Sequence, residues 1–271
     1  MTMTLGLTAK PDDARRVKVA NHVAQFLQGK AELIVDDELA KHLAHPAKSA
    51  PIGDIKCEVM ISIGGDGTIL HALQKNKAPV FGINMGELGF LTEIEPIELA
   101  EGLARVLARD YFIEHRIKIA SSINDKRMPD AANEVAIKTK RVAKMLQFEI
   151  AWGEREMMRL RGDGVMVATP TGSTSYAMSA GGPIVDPRVE CFAIVPLAAF
   201  SLSSRPMILP PEMVLQMRIM QREKEAIVVV DGQQEFEMRE SDTLTLWASE
   251  ERARFVRFRQ QFYHRLKSRL S

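Results

Sequence analysis

The chain reads as an α/β domain followed by a second, β-rich domain. Three observations predict this. From Met3 to Leu107, strand-like and helix-like runs alternate. One of the strand-like runs, Glu58 to Ile63, stops abruptly at Gly64-Gly65. From Tyr111 to Trp247, many short strand-like runs take over, with turn residues between them. Strands that alternate with helices imply a parallel sheet covered on both faces. Dense short strands imply an antiparallel architecture.

The elements of the first domain follow in order. Met3 to Ala9 reads as a strand ending at Lys10-Pro11. Asp12 and Asp13 precede a run in which Val17, Val19, Ala20, Val23, Phe26 and Leu27 recur at helical spacing. Ala31 to Val35 is a second strand. Glu58 to Ile63 is a third, and Thr68 to Gln74 starts a helix behind it. Pro79 to Ile83 is another short strand, ended by Asn84. Leu99 to Leu107 is the last clear helix.

Strand-like runs then cover Phe112 to Ser122, Asn133 to Lys138, Met145 to Trp152, Gly164 to Thr169, Val214 to Met220, Ala226 to Val230 and Thr243 to Trp247. A helical insertion is expected around Ser173 to Ser179. In the basic tail from Arg252 to Arg269, Phe262, Leu266 and Leu270 recur every fourth residue, with Tyr263 beside them. That is an amphipathic helix with a solvated basic face. A nucleic-acid arm is the weaker reading.

Composition limits the function. The chain has 271 residues, 46% hydrophobic and 26% charged, which suits a folded protein with sizeable cores. A formal net charge of +1 argues against coating DNA, RNA or an anionic membrane. Cys57 and Cys191 are far apart, without metal-site spacing, and suit a reducing compartment. No stretch approaches the ~20 apolar residues of a bilayer span. No basic start leads into a long apolar run, so no signal peptide is read. A cytoplasmic protein is expected.

Four motifs bear on chemistry. Gly64-Gly65-Asp66-Gly67-Thr68 lies where a strand ends and a helix begins, the ligand-binding edge of a parallel sheet. Its glycines permit positive φ and close approach, and its amides favour phosphate. A carboxylate there can grip a phosphate-bound Mg²⁺ or take a proton from an attacking hydroxyl. The alternative is a glycine-rich turn with Asp66 as helix cap. In the second motif, Gly162-Asp163-Gly164 leads through VMVAT into PTGSTSY and SAGGP. Here small residues approach a flat base while Thr174, Ser175, Ser179 and Tyr176 supply polar groups; an ordinary turn and helix is the alternative. The third is Asn133-Glu134, which can hold a ribose diol provided the chain bends; a polar turn is the alternative. Asp231-Gly232-Gln233 reads as a hairpin turn.

Together and in this order, these segments resemble the NAD kinase family. The resemblance runs from about Val59 to the C-terminus: GGDGT at 64–68, GINMGELGFLTEI from Gly82, NEVAI from Asn133, GDGVMVATPTGSTSYAMSAGGPIV from Gly162, SLSSRP from Ser201 and DGQ from Asp231. GGDGT alone also occurs in diacylglycerol kinases, sphingosine kinases and phosphofructokinases; the combination is specific. PLAAF before SLSSRP, and Met85 and Glu87 in the Gly82 segment, differ from the pattern common in relatives.

The resemblance implies a Rossmann-like N-terminal domain (1–98), an all-β sandwich (99–247) and a tail (248–271) that packs back on the first domain. It implies NAD in the cleft between the domains, phosphorylated at its adenosine-ribose 2′-hydroxyl to give NADP. The donor would be ATP or polyphosphate with a divalent metal, Mg²⁺ or Mn²⁺, for which no protein ligand is assigned. Asp66 would be catalytic. Gly64, Gly65, Gly67 and Thr68 would face the donor phosphates. Asn133 and Glu134 would hold ribose hydroxyls. Asp163, Thr174, Ser175, Tyr176 and Ser179 would line the base and ribose pockets, Phe90 would cover the adenosine, and Ala198 and Gln233 match positions near the ligand. A homodimer or homotetramer is implied. The rival readings are a diacylglycerol-type lipid kinase and a non-enzymatic NAD-sensing module.

Overall fold

Six consecutive buried residues, Val59–Gly64, form the strand around which the first sheet is arranged. A strand buried on both faces needs parallel neighbours with helices above and below. The computed structural model describes residues 2–45, 47–86, 89–141, 144–201, 203–221 and 224–270. Its chain divides into two compact units, residues 1–115 with 253–271, and residues 116–252.

The first unit begins with β1 (Thr4–Ala9), α1 (Ala14–Leu27), β2 (Glu32–Asp36), α2 (Asp37–Ala40), β3 (Lys48–Ala50), β4 (Val59–Gly64), α3 (Asp66–Lys75), β5 (Val80–Asn84), α4 (Leu99–Leu107) and β6 (Phe112–Arg116). The second holds β7 (Ile119–Ile123), β8 (Lys126–Arg127), β9 (Glu134–Thr139), β10 (Leu146–Trp152), β11 (Arg155–Gly162), β12 (Gly164–Ala168), α5 (Tyr176–Ser179), β13 (Phe192–Leu197), β14 (Met207–Leu209), β15 (Leu215–Ile219), β16 (Glu225–Val230), β17 (Gln234–Arg239) and β18 (Leu244–Ala248). The chain then returns to the first unit with β19 (Ala253–Arg257) and α6 (Phe262–Leu270). The sequence put the divisions after residues 98 and 247. Here α4 falls with the first unit, and β6 runs up to the division.

Local chemistry explains the first unit's helices. Asp13 caps α1, its carboxylate accepting from the Arg15 amide at 2.8 Å. Val19, Ala20, Val23 and Leu27 form the buried stripe of α1. The sheet order is β3-β2-β1-β4-β5-β19-β6. The chain moves outward from β1 on one side, then resumes at β4 on the other. That reversal opens a crevice outside the carboxyl ends of β1 and β4, the place where open α/β sheets bind ligands. Ala9 pairs with Ile63, so Gly64-Gly65 stands at that crevice.

In the second unit, the order β11-β10-β15-β18-β7-β8 packs against β14-β13-β12-β9-β16-β17. One core holds Phe148, Ile150 and Met217 from the first sheet with Ile137, Val167 and Ile194 from the second. This is a sandwich. The second sheet is buried on its other face too, where Ala136, Met166, Ala168 and Val195 lie with Ala177 of α5.

Several elements differ from expectation. Phe112 to Ser122 is two strands in two sheets, β6 and β7. β11, β13, β14 and β17 were not anticipated. β11 and β17 are half-exposed edge strands dense in charged residues, which dilutes the apolar signal of a strand. β13 contains Pro196, tolerated because β14 covers only Phe192 to Ile194.

β19 lies between β5 and β6, with Phe255 beside Val80. Removing residues 253–271 therefore takes out an interior strand together with the fully buried Phe255 and Val256. The expected outcome is loss of the first unit's cooperative thermal transition in calorimetry. A truncated protein that melts like the full chain would contradict the interior placement.

Candidate functional site

The strand-to-helix turn after β4 is built by Gly64 and Thr68. A Cβ on Gly64 would stand 2.2 Å from Thr68 Oγ1, so the hydroxyl packs directly on the glycine backbone. Thr68 is buried, and its amide donates to the Gly65 carbonyl at 3.0 Å. Gly65 has φ −97° and a Cβ on it, or on Gly67, would meet nothing within 4 Å. Positive φ therefore does not explain these two glycines. What they leave is open space beside the start of α3.

Asp66 is the first residue of α3, with Gly65 at the cap. The expected capping alternative gives way to a different contact. The Asp66 carboxylate accepts from the Phe90 amide at 2.8 Å and from the Leu91 amide at 3.0 Å, one bond to each oxygen. A Cβ on Gly89 would lie 2.1 Å from Asp66 Oδ1, so only glycine leaves room for that grip. Each oxygen keeps a further lone pair.

The same peptide is held from its carbonyl side by the tail. Arg265 is 4% exposed and donates to the Gly89 carbonyl at 2.6 Å, to Thr92 Oγ1 at 3.1 Å and to the Glu93 carbonyl at 3.3 Å. Arg257 donates to the Leu91 and Thr92 carbonyls at 3.0 and 2.9 Å and to Glu93 at 3.1 Å. The expected solvated basic face of the tail helix is thus corrected: its buried residue is Arg265, while Leu270 is 61% exposed. Phe90 is buried, its ring 6.2 Å from that of Phe262.

In the second unit, Asp231 organises the polar cluster. Its carboxylate accepts from the amides of Ala132, Asn133 and Glu134 at 2.9, 2.7 and 3.1 Å. The latter two converge on one oxygen. Successive amides of an extended strand point opposite ways, so this convergence requires the bend that a joint Asn133–Glu134 role demands. Asp231 sits at φ 50° in the connection between β16 and β17, with Gly232 at φ 66°. The sequence recognised that turn and missed its carboxylate; only the DG pair marks it locally.

Glu134 accepts from Ser175 Oγ at 2.6 Å. Burial pushes its carboxyl up to about 7, with the nearby Asp231 charge adding and the Ser175 bond opposing. Asn133 Oδ1 and Thr171 Oγ1 are buried polar atoms without a hydrogen-bond partner. A Cβ on Gly172 would lie 2.2 Å from the Asn133 carbonyl, so the PTGST turn lies against this bend. Tyr176, 49% exposed, and the exposed Ser179 are on α5, and Thr174 immediately precedes Ser175. Gln233 belongs to the Asp231 turn, its amide donating to the Val230 carbonyl at 2.9 Å.

Asp163 and Ala198 stand elsewhere. β12 runs antiparallel to β9, Ala168 facing Glu134 and Gly164 facing Lys138. Four steps at ~3.3 Å put Gly164 about 13 Å from that end. Asp163 donates its amide to the Leu197 carbonyl at 3.0 Å, beside Ala198 at φ 44°. Glu87 and Leu88 of the Gly82 segment, and Leu202 of SLSSRP, lie outside the described residues. Burial pushes the Cys57 thiol up to about 11 and raises Cys191, so neither is poised as a nucleophile. Among the described residues no group of three or more His, Cys, Asp or Glu side chains could hold a metal, and no helix is long and apolar enough to cross a membrane.

Comparison with known proteins gives the class and then the family. Residues 5–111 match the ATP-NAD kinase N-terminal domain, and residues 132–258 the ATP-NAD kinase C-terminal domain. The NAD kinase of Methanothermobacter thermautotrophicus is 41% identical over 99% of this chain and 96% of its own length. That of Thermococcus kodakarensis is 39% identical over 96% of each chain. An Archaeoglobus fulgidus NAD kinase solved with ATP is 30% identical with TM-score 0.79, covering 98% of this chain and 99% of that one. Yeast NADH kinase solved with NADH shares the fold, at 23% identity and TM-score 0.89 over 99% of this chain and 87% of that one. These matches define an enzyme of the phosphotransferase class. The chain belongs to the NAD kinase family.

Two outcomes follow from the site. Between the ordinary value of 4.5 and about 7, native Glu134 keeps a proton that the unfolded chain has released. Its contribution to stability is therefore present at low pH and lost as pH rises through 7. Glu134→Gln should melt progressively higher relative to wild type between pH 5 and pH 8, read by thermal denaturation at each pH. An offset independent of pH would contradict the raised carboxyl. Gly65→Ala and Gly67→Ala should leave the melting temperature nearly unchanged yet raise the KM for the phosphoryl donor by roughly tenfold or more, because a methyl group enters space a phosphate would fill. Unchanged donor KM in both would remove the loop from phosphate binding.

Proposed function

We propose that the chain transfers a phosphoryl group to the adenosine-ribose 2′-hydroxyl of NAD, giving NADP, with ATP or polyphosphate as donor. The observation that carries this reading is the bend at Asn133–Glu134, where both amides converge on one Asp231 oxygen; the bend supports a joint role of the two side chains toward one ligand. The unpartnered Asn133 Oδ1 and Thr171 Oγ1 call for hydroxyl or amine donors, which a ribose and a base supply. The names of the solved relatives, one with NADH and one with ATP, agree with the two substrates.

In this reading Asn133 and Glu134 orient the ribose, and Thr174, Ser175, Tyr176 and Ser179 border the base and ribose pockets. Phe90 borders the adenosine, and Gln233 lies near the ligand. The open space at Gly65 and Gly67 admits the donor phosphates, with Gly64 and Thr68 shaping the turn. Asp66 accepts the proton of the attacking hydroxyl on a lone pair its two amide bonds leave free. A divalent ion, Mg²⁺ or Mn²⁺, arrives on the donor phosphates and neutralises their charge; such ions rely on substrate oxygens more than on protein cages. Positioning and charge do most of phosphoryl transfer, so little else is asked of the protein. Asp163 and Ala198, at the far end of the sheet from Glu134, reach NAD held by a second copy in a homodimer or homotetramer. The reading places the protein in the cytoplasm, where its two free cysteines remain thiols.

The test is incubation of pure protein with NAD, Mg²⁺ and either donor, with NADP assayed by an NADP-specific dehydrogenase. Formation that stops with excess chelator is expected. No NADP with any donor, while diacylglycerol is phosphorylated, would make this a lipid kinase. NAD binding without turnover would make it a sensor. Asp66→Asn should lower kcat by ~10²–10⁴, the range for a lost general base, with NAD Kd by calorimetry nearly intact. A kcat within about threefold of wild type would overturn the assignment of Asp66 as base.

A further inference from the structure

Arg265 is a buried cation on α6 whose guanidinium donates to the Gly89 carbonyl, Thr92 Oγ1, the Glu93 carbonyl and the Gln261 side chain. Burying an ionised side chain costs several kcal/mol unless it is fully hydrogen-bonded. A solvent-facing arginine at that helix position would avoid the cost. What the burial achieves is visible one peptide away. Arg265 pulls on the Gly89 carbonyl, and that carbonyl belongs to the peptide whose amide is Phe90, a donor to Asp66. Arg257 holds the Leu91 and Thr92 carbonyls just beyond the Asp66 contacts. Each end of the peptide dipole meets a charge of opposite sign, so the two contacts reinforce one another.

We propose that Arg265 is a positioning residue for phosphoryl transfer. It fixes the Gly89–Leu91 backbone, whose amides in turn aim the Asp66 carboxylate. The inference rests on the NAD kinase reading for its kinetic consequence, and on the hydrogen-bond geometry alone for its structural one. Arg265 touches neither substrate nor donor in this role. Its loss changes where Asp66 points, not what the ribose and base contact.

The experiment is a double-mutant cycle of Arg265→Met and Asp66→Asn, read by kcat, NAD KM and hydrogen exchange of the 89–93 backbone. Arg265→Met should lower kcat by roughly 10- to 100-fold, the scale on which misplacement of about an ångström acts, with NAD KM changed little. In the Asp66→Asn background the same substitution should cost nearly nothing more, because the group it aims is already gone. Exchange at 89–93 should speed up in Arg265→Met whatever the substrate proves to be. Guanidinium ion added to Arg265→Ala should restore part of the lost kcat. Where Arg265→Met does not melt cooperatively, Arg265→Lys, which keeps the charge and loses the fork, takes its place in the cycle. An equal fall in both backgrounds would make Arg265 a structural residue only and overturn the proposal, as would unchanged exchange at 89–93. Wild type that makes no NADP would instead defeat the functional reading, and exchange would then decide the proposal by itself.

Discussion

The structure around the glycine-rich turn depends on one contact, the Asp66 carboxylate on the amides of Phe90 and Leu91. It joins the end of β4 to the loop after β5 across the carboxyl edge of the sheet. Gly89 is small because the carboxylate occupies the space its side chain would take. Arg265 serves the carbonyl on the other side of the Gly89–Phe90 peptide, and Arg257 serves the carbonyls of the two peptides that follow Leu91. Glu93 is buried because Arg257, the Phe258 amide and Gln261 neutralise and satisfy it. Remove the carboxylate and each of these choices loses its reason.

The second unit repeats the device with other residues. Asp231 gathers three consecutive amides and so bends the chain at Asn133 and Glu134. In both units an anion replaces the missing strand partner of a short backbone stretch. In the second, Glu134 is held toward its neutral form, by its burial first and by the Asp231 charge in addition.

Much of the architecture was legible because it is written locally. Leu99–Leu107 was bounded correctly by its apolar stripe, and β4 was placed to within one residue by a β-prone run ending in glycine. What could not be read depends on distant chain. The Asp231 contacts span up to 99 residues, and those of Arg265 up to 176. A helical period marks Arg265 as solvent-facing; only the carbonyls of the 89–93 loop reverse that. Likewise, nothing in Phe112 to Ser122 records that the chain changes sheets midway. The order of the motifs made the family resemblance legible, and with it the candidate site. Asp163 and Ala198 show how a correct motif can still place residues at opposite ends of a sheet.

The position of β19 bears on how the protein is made. It occupies an interior place in the first sheet yet follows the whole sandwich in the chain. During synthesis, β5 emerges early and waits for its neighbour while the residues up to Arg252 are translated. Its open edge is a template for pairing throughout that interval. The sandwich, contiguous in sequence, can close as soon as it leaves the ribosome; the first unit closes only afterwards. The late pairing is of long range and slow in kind. A chain whose second unit closes before β19 is translated would carry that open edge longest, and it is the form most exposed to mispairing.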